Sequence, residues 1–175
     1  MIKRGQVWVE TVMYTLIGLA ILGSLIAVMT PRIQKISDNA LITQSINSLN
    51  KINEQIGEVL MYSGTQREII LAVKNGEYII DSINNSIEFV LSDTKLKYSE
   101  IGENVPKGYI NVLTTQRTNN NYDVTLSLNY SAYNLSYQDA DKNKILTGAP
   151  NPYKLLVQNN GPDSSDKQII NIEII

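Results

Sequence analysis

The chain has 175 residues, a formal net charge of −2, and neither cysteine nor histidine. That length holds one ordinary domain plus a membrane segment, and the charges form no clustered Lys/Arg face of the kind that neutralising phosphates requires, which argues against a nucleic-acid partner. Without thiols or imidazoles there are no disulfides, zinc sites or thiol nucleophiles, and no nucleophile, base and orienting group can be assembled from what remains; neither an enzyme nor a cofactor-dependent protein is expected.

The first element is an apolar block: Thr11 to Thr30 are twenty residues without a charge. At about 1.5 Å of rise each they make roughly 30 Å of helix, the thickness of a bilayer core. Lys3 and Arg4 precede the block as in a secretory signal peptide, but the block is longer than the usual h-region. Met29-Thr30-Pro31-Arg32 also lacks a small-x-small cleavage pattern, so the segment is expected to stay in the mature protein. One residue looks misplaced. Glu10 follows Val7-Trp8-Val9 at the edge of the block, and a carboxylate at membrane depth costs a few kcal/mol unless it finds a partner.

Lys3-Arg4-Gly5, then Gln6-Val7-Trp8-Val9-Glu10, then the long apolar helix resembles the prepilin signal of type IV pilins, especially archaeal pilin-like proteins. The resemblance ends with the apolar block. It implies that a membrane prepilin peptidase cuts between Gly5 and Gln6, so that residues 1–5 are a leader and residues 6–30 form the transmembrane helix and filament core. It implies a pilin-like fold, a homopolymer assembled by a pilus ATPase and platform protein, and a life first in the membrane and then as an extracellular filament used for adhesion. A minor pilin or pseudopilin that primes or tips a filament fits the same signal, and so does a membrane-tethered surface module that binds a ligand without polymerising. Glu10 falls on the position where the family carries a glutamate. Its partner would be the new α-amino group on Gln6 of a neighbouring subunit, with a reference pKa of about 7.7 to 8.0, and that pairing would set axial register. If the N-terminal glutamine cyclises to pyroglutamate, Glu10 accepts a neutral hydrogen bond instead.

Past the span, Pro31 has no N–H for the Ala27 carbonyl and predicts a kink or loosened turn, to which Gly18 and Gly23 add. Apolar residues resume at Ile33 and Ile36 and recur at helical steps through Ile42, Ile46, Leu49, Ile52, Ile56 and Val59. Residues 31–62 are expected as an amphipathic continuation of the helix, packed on the head of its own chain. The head, residues 63–175, reads as strands. Arg67 to Lys74, a hairpin at Asn75-Gly76, Glu77 to Ile83, a turn at Asn84-Asn85 and Ser86 to Leu91 predict a three-stranded meander. Tyr109 to Gln116 and Tyr122 to Tyr130 predict a second hairpin with Val124, Leu126, Leu128 and Tyr130 on one face. Tyr153 to Gln158 and Gln168 to Ile175 follow, joined by a turn at Asn159-Asn160-Gly161-Pro162-Asp163. The expected fold class is α+β: a long N-terminal helix, then an antiparallel β sandwich or barrel of about six to eight strands, its second sheet closed by the C-terminal strand.

Site chemistry in the head is thin. Asp139, Asp141 and Asn143 have a spacing that can offer oxygen ligands to calcium, but Lys144 stands where an EF-hand wants glycine and Pro150 where it wants glutamate, so a solvated loop is the better reading. Asn84, Asn129 and Asn134 begin N-x-Ser sequons and are candidate glycan acceptors on an extracellular surface.

Overall fold

The computed structural model describes the backbone from Arg4 to Ile175, and side chains from Trp8 onward. One helix, α1, runs from Arg4 to Leu60, and Pro31 lies inside it without ending it. Ten strands follow. The arrangement is α+β, with a long apolar N-terminal helix preceding sheets that are mostly antiparallel. The chain divides into two compact units, one reaching to Ser37 and the other Asp38–Ile175, so the last part of α1 belongs with the strands.

In the first unit every side chain described is exposed, including Trp8, Leu16, Leu19, Ile26 and Met29. The hydroxyls of Thr15, Ser24 and Thr30 donate to the carbonyls of Thr11, Ala20 and Ile26, each at 2.8 Å. Those polar groups are therefore satisfied within the helix, which suits a surrounding that offers no water.

In the second unit the strands β1 (Gln66–Leu71), β9 (Tyr153–Pro162), β10 (Gln168–Ile174) and β7 (Asn134–Tyr137) form a four-stranded sheet in that order. The other sheet has six strands, in the order β4 (Asn104–Lys107), β5 (Ile110–Thr118), β6 (Asn121–Asn129), β3 (Ser86–Thr94), β2 (Glu77–Asp81), β8 (Lys144–Leu146). Alternation places Val124, Leu126 and Leu128 inward along β6, and Tyr130 just beyond it is buried too. The inner residues of both sheets share one core with Ile42, Ile46, Leu49, Ile52, Ile56 and Val59 of α1. The helix thus completes the core of the β unit.

Hydrogen bonds fasten it there. Thr94 Oγ1 donates to Asp38 Oδ2 at 2.5 Å, Tyr130 Oη to Asn53 Oδ1 at 3.0 Å, and Asn159 Nδ2 to the Val59 carbonyl at 3.2 Å. Burial pushes the Tyr78 phenol up from its ordinary value, against the lowering effect of hydrogen bonds with Ser45 and Ser48 on the helix. Burial alone raises Tyr130 in the same direction.

The structure departs from the sequence expectation at several places. Ile33 and Ile36 do not join the buried stripe: they are 62% and 71% exposed, lie in the first unit, and the stripe begins only at Ile42. Asn75-Gly76 is not a hairpin turn. β1 pairs with β9 and β2 with β3, so this dipeptide carries the chain from one sheet to the other. Gly76 has φ +77 there, and a Cβ on it would meet the Phe89 ring at 2.6 Å, so the glycine answers a packing demand. The expected turn at 159–163 is strand instead. β9 continues to Pro162, and the turn is made by Asp163, whose Oδ1 accepts the N–H groups of Ser165 and Lys167. Tyr109 sits in the β4–β5 turn beside Gly108, one residue before β5 begins. The strand count exceeds the expected range through β4, β7 and β8, which are four, four and three residues long and too short to show a period. β7 also runs parallel to β10, which makes the four-stranded sheet mixed.

One turn supplies a pH test. Burial tends to raise the Asp81 carboxyl, but hydrogen bonds from the Asn84 backbone and side chain, from Asn143 and from the Ile83 N–H outweigh it and hold the group below its ordinary value. A depressed carboxyl contributes stability above its unfolded-state pKa and loses it as pH falls through the folded-state value. Asp81→Ala should therefore lower stability by about 1 kcal/mol at neutral pH, allowing for solvent screening. Thermal melts of variant and parent should converge in acid; a constant gap would show that the charge is not responsible.

Candidate functional site

The apolar N-terminal half of α1 is one candidate. Its 18-residue window has a mean hydropathy of 2.3 and none of it is buried within the structure. An apolar surface on this scale far exceeds the few hundred Å² that soluble proteins leave open. The helix is long and apolar enough for a membrane anchor or a signal sequence.

Of the residues expected at the processing site, Lys3 lies outside the described residues, whereas Arg4, Gly5 and Gln6 occupy the first turns of α1. Glu10 is exposed, and the Tyr14 hydroxyl one turn on reaches its Oε1 at 3.5 Å. Sequence reading missed that neighbour, although a spacing of four on a helix announces it. Along this half of α1, Ile17, Ala20, Ile21, Ser24, Leu25 and Val28 form an open apolar face in which two small residues four apart lower the surface.

The head offers an open polar cleft of about 340 Å³, lined by Lys74 to Glu77, Val90 to Ser92, Thr147 and Gly148. Two of the three side chains in the Asp139–Asn143 spacing are engaged with other partners. Asp139 Oδ1 accepts from Asn160 Nδ2 at 2.9 Å, while the Asn143 side chain bonds Asp81. Among the described residues no group of three or more His, Cys, Asp or Glu is placed to hold a metal ion.

Asn84 is far in sequence from the neighbouring Asn129 and Asn134, yet the three sequons come together at one end of the β unit. Ser86 is paired with Asn129 across β3 and β6. Asn85 joins the group by accepting the Tyr130 N–H on its carbonyl at 2.8 Å and the Leu135 N–H on its side chain at 2.7 Å. Their states differ. Asn84 Nδ2 donates to Asp81 Oδ2 at 2.7 Å, Asn134 Nδ2 donates to Asp163 Oδ2, and Asn129 uses only its oxygen, which accepts the Ser131 N–H at 2.8 Å. No protein-family model, curated protein or solved structure matches the chain.

Proposed function

We propose that the chain is a structural subunit of an extracellular pilus-like filament, with a pilin-like fold and a prepilin leader ending at Gly5. The observation that carries the reading is a wholly exposed apolar helix that continues into the core of a β head, with a carboxylate at its membrane-entry end. Before assembly lipid covers the span; in the filament, neighbouring spans do. Cleavage between Gly5 and Gln6 frees an α-amino group, and Glu10 of the adjacent subunit accepts it in a water-poor core, which fixes how far one subunit is staggered on the next. The open apolar face between Ile17 and Val28, with small residues at Ala20 and Ser24, packs on a neighbouring helix. Transport energy and docking would come from an assembly ATPase and platform protein, and the head would face outward to adhere.

The signal itself is tested by intact mass. Protein purified from membranes of the cells that make it should begin at Gln6 and lack Met1 to Gly5, and Gly5→Val should leave the leader attached. A start near residue 30, or a retained Met1, would refute the prepilin reading. A tethered, non-polymerising surface module is the second reading, and the polar cleft around Gly76 and Gly148 is the observation that favours it.

A further inference from the structure

The three sequons are equal as sequence and unequal as structure. To be glycosylated, an asparagine must present its amide, together with the hydroxyl two residues on, to a transferase. At Asn84 the amide nitrogen is held by Asp81, and Ser86 is 9% exposed with its hydroxyl donated to Glu88. At Asn134 the nitrogen is held by Asp163, and Ser136 is 7% exposed with its hydroxyl donated to Asn171. At the third sequon both Asn129 and Ser131 are exposed.

The residue between them explains why. Tyr130 is buried, with its hydroxyl on Asn53 of the helix and its N–H on the Asn85 carbonyl. With Tyr130 pinned inward, Asn129 and Ser131 on either side are left facing out. The Ser131 N–H closes a tight turn onto Asn129 Oδ1, and the Tyr133 N–H bonds the Tyr130 carbonyl, so the whole turn is fixed.

We infer that Asn129, and neither Asn84 nor Asn134, is the N-glycan acceptor of the folded head. The inference rests on the head lying outside the cell, as proposed above. The donor is a lipid-phosphate-linked saccharide. Asn129 Nδ2 loses one hydrogen as a proton and bonds to the anomeric carbon, the bond from that carbon to the phosphate oxygen breaks, and the lipid phosphate leaves.

The test uses full-length protein purified from the surface of the cells that make it. Fragmentation by electron transfer, which keeps sugars on peptides, should place a mass surplus of whole sugar residues on Asn129. Ser131→Ala should abolish the surplus while keeping the turn, because the turn uses the Ser131 backbone N–H. Ser131→Thr should retain it. An unmodified Asn129, or sugar on Asn84 or Asn134 with or without sugar on Asn129, overturns the assignment. The same spectra report the N-terminus: a chain starting at Gln6 with a bare Asn129 removes only this inference, whereas a retained Met1 with a bare Asn129 removes the filament reading as well.

Discussion

Cells carrying Glu10→Val are expected to accumulate a processed, membrane-inserted subunit and to make little or no filament from it. The substitution makes the segment more apolar, so insertion is favoured, and it leaves Lys3, Arg4 and Gly5 untouched for the peptidase. On the proposed filament reading, what it removes is the acceptor for the neighbouring Gln6 amino group. A buried charge left without its partner costs about 3–5 kcal/mol, which is a loss of roughly a hundredfold or more in affinity at each contact. Because a polymer repeats the contact at every subunit, the concentration needed for growth rises by that factor. Filaments counted by electron microscopy, with the monomer followed by immunoblot of membranes, decide the matter. Normal filament numbers would make Glu10 an interfacial charge on a tethered protein and strengthen the surface-module reading.

The second large effect concerns the boundary of the head. A fragment covering residues 63–175 holds every strand but is expected not to fold stably, whereas residues 38–175 should give a soluble, cooperative domain. The missing piece carries Ile42, Ile46, Leu49, Ile52, Ile56 and Val59, all 6% exposed or less. Burial of such side chains is worth roughly 1.5–3 kcal/mol each, so their loss is on the order of 10 kcal/mol, as large as the whole stability of a typical domain. It also leaves Tyr130 and Asn159 without their helix partners. Urea unfolding followed by circular dichroism compares the two fragments. A cooperative transition in the 63–175 fragment at the same midpoint as in the longer one would mean that the helix only decorates the sheets.

How far these features were legible depends on the range of the interaction that decides each. The buried stripe from Ile42 to Val59 and the inward face of β6 were readable because a repeating period is written into adjacent residues. The route of the chain between sheets was not. Asn75-Gly76 carries a hairpin signal, yet which edge β1 pairs with is settled by β9, some 80 residues later. The same holds at Asn159-Asn160-Gly161-Pro162. These residues stay within β9, with a shift of register and a positive φ at Gly161, because the buried Asn159 side chain donates to the Val59 carbonyl and accepts the Gly161 N–H. At the candidate sites, Glu10 stood out from its apolar surroundings. The ranking of the sequons could not be read, since it depends on Asp81, Asp163 and Asn171, none of them within a sequon.

The helix that completes the core of the head has a mechanical consequence. A pull on residues 38–60 bears directly on their contact with the two sheets. Asp38–Thr94, Asn53–Tyr130 and Val59–Asn159 are spread along that length, joining β3, the end of β6 and β9. The apolar stripe lies between them, so this part of the helix is held at several points along its length and not at one. If the chain is a filament subunit as proposed, one held by its helix and tugged by its head would carry tension through its most buried residues.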